Sequence, residues 1–219
     1  MANFFNPENS FMQKVNKVVD LAILSCLWLV CSLTLVGFGP ATTALYYAVV
    51  KTVRRDRASL FKSFFGAVKR SWKPSLAAGI LFLLFAAALF VVDIPGFLLL
   101  LQGDGSWNLT TALISLVKIL LWGGLVIYTF PLISRFEVGV VKAVCTALTL
   151  SVQHLMTTFL YGLLLLLVIV LCIWKFEFLF LLPGAFIWFW SYKMERFLRQ
   201  CMTEEERTEN ENEDQWYLE

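Results

Sequence analysis

The sequence predicts an all-α fold: a polytopic helical membrane protein with about six (five to six) transmembrane helices and two cytoplasmic amphipathic helices. Three observations predict it. Hydrophobic residues make up 59% of the 219-residue chain and charged residues only 16%, against about 25% charged in soluble domains. The stretch from Leu21 to Val50 carries no charged residue, and about 20 apolar residues suffice to cross a bilayer core. The cations, finally, cluster in alternate connections between the apolar segments.

The first apolar segment runs from about Val19 to Val36 and the second from Pro40 to Val53. Between them Gly37-Phe38-Gly39-Pro40 forms a hinge, and Pro40 suits a first helical turn because its missing N–H costs no helical hydrogen bond there. The third segment covers Pro74 to Val92, the fourth Leu109 to Phe130, the fifth Thr157 to Trp174 and the sixth Phe178 to Trp190. The second and sixth are short, so a five-span or re-entrant arrangement is the alternative. Residues 1–203 read as one membrane domain. Residues 204–219 read as an acidic, disordered cytoplasmic tail, with Arg207 its only cation. No cleavable signal peptide is expected, because the amino-terminal residues are polar and no small-residue cleavage pattern follows the first apolar run.

Of the 18 Lys and Arg residues, all but Lys118 and Lys175 fall on one side of the bilayer if six helices cross it and the amino terminus is cytoplasmic. Cytoplasmic connections of membrane proteins carry such an excess. Both termini are therefore expected in the cytoplasm. Trp107, Trp174, Trp188 and Trp190 lie near segment ends, where indole rings favour the interface.

Two connections have helical periodicity. In Ser59 to Lys73, the residues Phe61, Phe64, Phe65, Val68 and Trp72 recur at spacings of three and four, as in a helix lying in the interface. Glu137 to Gln153 is similar but more apolar. At an offset of 80 residues Lys62 matches Lys142, Ala67 matches Ala147 and Ser71 matches Ser151. A span, an amphipathic helix and another span thus read as an internal repeat of the kind transport folds use.

Catalytic chemistry is poorly represented. His154 is the only histidine and is expected to pack at the interface. No HExxH, phosphate-binding glycine loop or GxSxG occurs, so no catalytic, cofactor or metal residue is expected, and no nucleic-acid partner. The five cysteines show no CxxC pairing and read as small hydrophobes. Gly66, Gly123 and Gly124 read as packing positions. The functional candidates are of two kinds. Lys118, in the fourth span, either lines a polar cavity or partner contact, or snorkels outward or pairs with Asp93. Around the hinge, Gly39, Pro40, Thr42, Thr43, Tyr46 and Tyr47 either bind a ligand or satisfy backbone groups freed by the break. Lys62, Lys69, Arg70 and Lys142 are candidate contacts for a partner subunit, although attraction to anionic membrane lipid explains their charge equally well.

Phe4-Phe5-Asn6, the apolar run through Cys31, and Gly37-Phe38-Gly39-Pro40-Ala41-Thr42-Thr43-Ala44-Leu45-Tyr46-Tyr47 resemble the YesL family of bacterial membrane proteins. The resemblance extends over roughly residues 3 to 200 and is most specific in the first third. Aligned on Gly39-Pro40, the family's Thr falls at Gly37 and its preceding Pro near Thr34. The resemblance implies a multi-pass protein of the bacterial plasma membrane, associated with carbohydrate ABC importers, and carries no catalytic or binding residues. The function expected is a non-enzymatic accessory subunit that assists assembly, coupling or regulation of a sugar importer through its permease or ATPase subunits. A stand-alone transporter or channel for sugars or other small solutes is the alternative.

Overall fold

A glycine-proline turn folds the uncharged stretch back on itself. In the computed structural model, which describes residues 10–34, 36–54, 59–101, 109–136 and 139–201, helix α1 (Ser10–Ser32) ends before this turn and α2 (Phe38–Ala48) begins after it. Pro40 occupies the first turn of α2, where an N–H has no helical partner. Helix α2 runs on into a π-helical segment, Val49–Arg54. Then come α3 (Leu60–Arg70), α4 (Trp72–Leu101), α5 (Leu109–Phe136), α6 (Val140–Gln153), α7 (Leu155–Trp174), a 3-10 turn (Phe176–Phe180) and α8 (Leu182–Cys201). No strand occurs among the described residues.

Among the described residues, four helices are long and apolar enough to cross a membrane: Met12–Ser32, Trp72–Asp93, Thr110–Phe136 and Leu155–Trp174. The six segments read from the sequence all fall on helical structure, but two are of another kind. The second is the 11-residue α2 with its 6-residue π extension, and none of its residues is exposed. The sixth divides between the 3-10 turn and α8, which continues past Trp190 to Cys201. Charges at Lys193 and Arg196 marked an end of the segment in the sequence. The helix continues because Ser191, Met194, Glu195 and Leu198, at helical spacing, stay buried while those cations face out. Helix α4 also extends beyond Val92 to Leu101, so the loop expected from Asp93 starts later. Residues 102–108, Glu137 and the acidic tail lie outside the described residues.

The core is built around α2, which packs against α1, α3, α4, α5 and α8. Ala41, Ala44, Leu45, Ala48, Val49 and Val53 join Leu21 and Leu24 of α1 and Phe64 and Ala67 of α3. Helix α3 is therefore seated on α2 by one face rather than simply laid on a surface. Small side chains allow the closest crossings. A Cβ on Gly39 would collide with the Ser75 carbonyl oxygen and lie 2.9 Å from the Gly79 Cα of α4. On the other side, the Gly184 N–H at the start of α8 donates to Ser25 Oγ at 3.0 Å, and that hydroxyl donates to the Leu21 carbonyl at 2.9 Å. One serine thus satisfies an otherwise orphan first-turn amide.

The two halves share a plan. Helices α3 and α6 each start from an extended residue, Ser59 and Gly139, at the offset of 80 read from the sequence. Because α6 has 14 residues and α3 has 11, the following helices α4 and α7 match at a larger offset, pairing Ser75 with Thr158 and Gly79 with Gly162. Gly39 of α2 meets Ser75 and Gly79, while Gly124 of α5 meets Thr158 with its Cβ position 2.7 Å from the threonine methyl. The correspondence is partial, because Gly162, the counterpart of Gly79, meets the Leu120 side chain at 3.7 Å rather than Gly124. Gly66, by contrast, is exposed with open space around its Cβ position, so it is not the packing position expected, whereas Gly123 is buried with no atom of another element within 4 Å of its Cβ position.

Gly39→Ala places a methyl against two backbone segments, and overpacking of this sort costs about 1–3 kcal/mol. The purified variant should lose several degrees of thermal midpoint in detergent. Gly66→Ala, with nothing near its Cβ, should match or exceed the parent, because Ala is favoured over Gly in a helix.

Candidate functional site

At the centre of the bundle α2, α5 and α8 converge on one buried carboxylate. Glu195 is 3% exposed. Tyr46 of α2 donates its hydroxyl to Glu195 Oε1 at 2.9 Å. Arg135 of α5 donates from Nε to Oε1 at 3.2 Å and from Nη2 to Oε2. This is the bidentate fork of a guanidinium on a carboxylate, with a phenol added, and it leaves both carboxylate oxygens engaged. Such pairing is a requirement, since an unpaired charge so deeply enclosed costs several kcal/mol.

Aromatic rings surround this centre. Trp190 is 1% exposed, its indole N–H donates to the Ile127 carbonyl at 3.3 Å, and its ring meets Tyr128 and Tyr161. It is a core residue, not the interfacial one expected. Trp174 is exposed, and Trp107 lies outside the described residues. His154 stacks on Phe197 with centroids 4.2 Å apart, a packing role. Tyr46 also borders an apolar cavity of about 440 Å3 among α1, α2, α5, α7 and α8, lined by Trp28, Phe38, Trp122, Phe130 and Ile187. Thr42 and Tyr46, the hydroxyl residues on its wall, bond to Trp28 and Glu195. The cavity is suited to an apolar group.

The hinge hydroxyls bond within the chain. Thr42 and Thr43 donate to the Phe38 and Gly39 carbonyls at 2.7 and 3.1 Å, and the Trp28 indole donates to Thr42 Oγ1 at 3.1 Å. Thr34 accepts from the Gly37 amide and donates to the Cys31 carbonyl. Tyr47 lies beneath the Arg70 guanidinium, 4.9 Å from ring centroid to carbon, and its hydroxyl accepts from Lys51. Of the hinge candidates, only Tyr46 joins the buried centre.

Lys118 lies 2.5 Å from Asp93 Oδ1, which also accepts from Ser115 at 2.6 Å. The pair ties α4 to α5. Among the basic candidates, Lys62, Lys69 and Lys142 are exposed. Arg70, also exposed, reaches across from α3 to donate to the Ser134 carbonyl of α5 at 3.0 Å. Cys26, Cys31, Cys145 and Cys172 are free thiols, and the described residues contain no group of three metal-ligating side chains. Sequence reading missed Glu195, an acid among Lys193, Arg196 and Arg199, and Arg135, a single cation at the end of an apolar span; both look like solvated charges. The signal available was the helical phase of Glu195 with Ser191, Met194 and Leu198.

A chain helical through its described residues, with several helices long and apolar enough to cross a membrane and a buried polar centre, is the class these features define. The family model described as "Protein of unknown function, DUF624" matches residues 21–94. That stretch holds most of α1, the hinge, α2, α3 and the membrane-crossing part of α4. It includes Gly39, Tyr46, Arg70, Gly79 and Asp93, whereas the partners Arg135, Glu195, Ser134 and Lys118 lie beyond it. No curated protein and no solved structure matches the chain.

Glu195→Ala strands the Arg135 guanidinium, and removing one member of a buried pair costs about 3–5 kcal/mol. The double change Arg135→Met/Glu195→Leu should retain more thermal stability in detergent than Glu195→Ala alone. The Asp93–Lys118 pair is partly exposed on the lysine side, so solvent weakens it. A double-mutant cycle with Asp93→Asn and Lys118→Gln, read by unfolding in detergent, should give a coupling near 1 kcal/mol.

Proposed function

We propose that this chain is a non-enzymatic accessory membrane subunit that works beside a carbohydrate ABC importer in the bacterial plasma membrane. In this reading, Phe38–Arg54 and α8 complete six crossings, and both termini lie in the cytoplasm with α3 and α6. The observation that carries it is the outer faces of those two helices. Phe61, Lys62 and Phe65 are exposed on α3, and Val141, Lys142 and Leu148 are exposed on α6. Cations alternating with large apolar groups fit a docking surface as well as a lipid one. The YesL resemblance supplies the partner class, and the match to a family of unknown function falls on the same region.

Tagged protein drawn in mild detergent from its native host, grown on complex carbohydrate, should bring down importer permease or ATPase subunits in stoichiometric amounts. Lys62→Glu with Lys142→Glu should reduce that yield at least several-fold. A clean preparation of the chain alone, with oligosaccharide uptake unaffected by its deletion, contradicts the reading.

The two matching helical units favour a second reading, transport by the chain itself, because repeats of this kind build transporter folds. Solute flux in liposomes holding only this protein would support it.

A further inference from the structure

The apolar cavity of about 440 Å3 beside Tyr46 is bounded by α1, α2, α5, α7, α8 and the 3-10 turn, and neither α3 nor α6 reaches it. Its polar lining groups are turned to partners within the chain. The indole N–H groups of Trp28, Trp122 and Trp190 donate to Thr42 Oγ1 and to the Phe82 and Ile127 carbonyls. The Thr42 hydroxyl donates to the Phe38 carbonyl and the Tyr46 hydroxyl to Glu195. Pro131, inside α5, has no N–H for the Ile127 carbonyl four residues earlier, and the Trp190 indole takes its place. Cys172 adds only a thiol, which behaves as a small hydrophobe.

A sugar or a cluster of waters would have no hydrogen-bond partner among these side chains, and burying it there would be costly. Empty space is also unfavourable, because lining atoms without neighbours lose their dispersion contacts. The complementary occupant is a hydrocarbon. One benzene fits a cavity of about 150 Å3, so about 440 Å3 corresponds to roughly eighteen carbons, the size of one acyl chain.

Access decides which hydrocarbon. Of the lining residues, Ile169 and Ile173 of α7 are exposed. The cavity therefore reaches the surface along the last two turns of a helix long and apolar enough to cross a membrane. Immediately beyond, Trp174, Lys175 and Phe176 are exposed, and an indole beside a charge favours the membrane–water interface. The opening thus lies just inside the level of lipid headgroups, where acyl chains begin.

We propose that this cavity holds one acyl chain of a membrane phospholipid, with the headgroup at the level of Trp174 and Lys175 and the chain among Phe38, Phe130 and Ile187. The chain is a packing element that joins α1, α2, α5, α7 and α8. Held in place, it also keeps other lipid-soluble molecules off the α2 wall. Recognition is by the chain and not by the headgroup. The site is independent of any importer contact made through α3 or α6.

The test uses the full chain in liposomes containing phosphatidylcholine with a photoreactive diazirine near the end of one acyl chain, with adducts located by mass spectrometry. Phe130, which lines the cavity but is 1% exposed, should be labelled, whereas Ile133, equally buried but away from the cavity, should not. Phosphatidylglycerol carrying the same chain should give the same pattern. Val168→Trp/Cys172→Phe fills the cavity from α7 and should cut the Phe130 adduct about tenfold or more. Labelling of Leu167, exposed on the same helix, should stay unchanged in that variant and reports that the bundle is intact. Phe130 labelled no more than Ile133 overturns the proposal from the parent chain alone. Undiminished Phe130 labelling in a filled variant that passes the Leu167 check overturns it as well. Labelling by only one of the two headgroups contradicts recognition by the chain. Labelling of Phe130 by a diazirine fatty acid but by neither phospholipid reassigns the cavity to a free fatty acid and also overturns it.

Discussion

A carboxylate sealed among three helices is stable only while cationic and hydroxyl donors close on it, and Glu195 imposes that condition on this chain. Its partners come from α2 and α5, 149 and 60 residues away in sequence. Meeting both at once sets the register of α8 against each helix to within a hydrogen-bond length. An apolar contact would tolerate sliding by part of a turn; a guanidinium fork with a phenol does not. The polar centre therefore contributes more to uniqueness of packing than to net stability, since apolar replacements of a whole buried pair are often no less stable.

The enclosure of α2 follows from the same centre. A helix surrounded on every side needs small residues where neighbours cross and internal partners for its hydroxyls. Gly39 and the run of alanines provide the first, and the i−4 carbonyl bonds of Thr42, Thr43 and Thr52 provide the second. Around α2 the long apolar helices α1, α4 and α7 turn apolar faces outward. Arg70 and Arg54 anchor neighbouring elements by donating to the carbonyls of Ser134 and Ser191. Lys62 and Lys69 of α3, Lys73 of α4 and Lys142 of α6 are exposed, as are Lys193 and Arg196 of α8.

Much of the framework is legible in the sequence, because membrane crossing imposes length and apolarity that local reading detects. The hinge at Gly37–Pro40, the break between α3 and α4 and the amphipathic character of α3 and α6 all rest on local chemistry of this kind. What escapes local reading is partnership. Nothing near Glu195 in sequence distinguishes it from a solvated acid, because its partners are far along the chain. Trp190 sits where an interfacial indole is expected, yet the bundle closes over it. The segment Pro40–Val53 has the composition of a lipid-facing span, and only the surrounding helices reveal that it faces protein. Lys118 is the opposite case, in which Asp93 was visible as a candidate partner at the end of the preceding apolar segment.

The claim on which the account turns is that Phe38–Arg54 is enclosed by neighbouring helices, with none of its residues exposed. Labelling the native chain in liposomes with a lipid-soluble carbene reagent, with adducts located by mass spectrometry, tests it directly. Residues 80–91 of α4 and 163–173 of α7, which include many exposed apolar side chains, should carry adducts, while residues 38–54 carry almost none until the protein is denatured. Adducts on Ala44, Val49 or Val53 at the level seen in α4 would contradict the enclosed helix and the buried centre built on it.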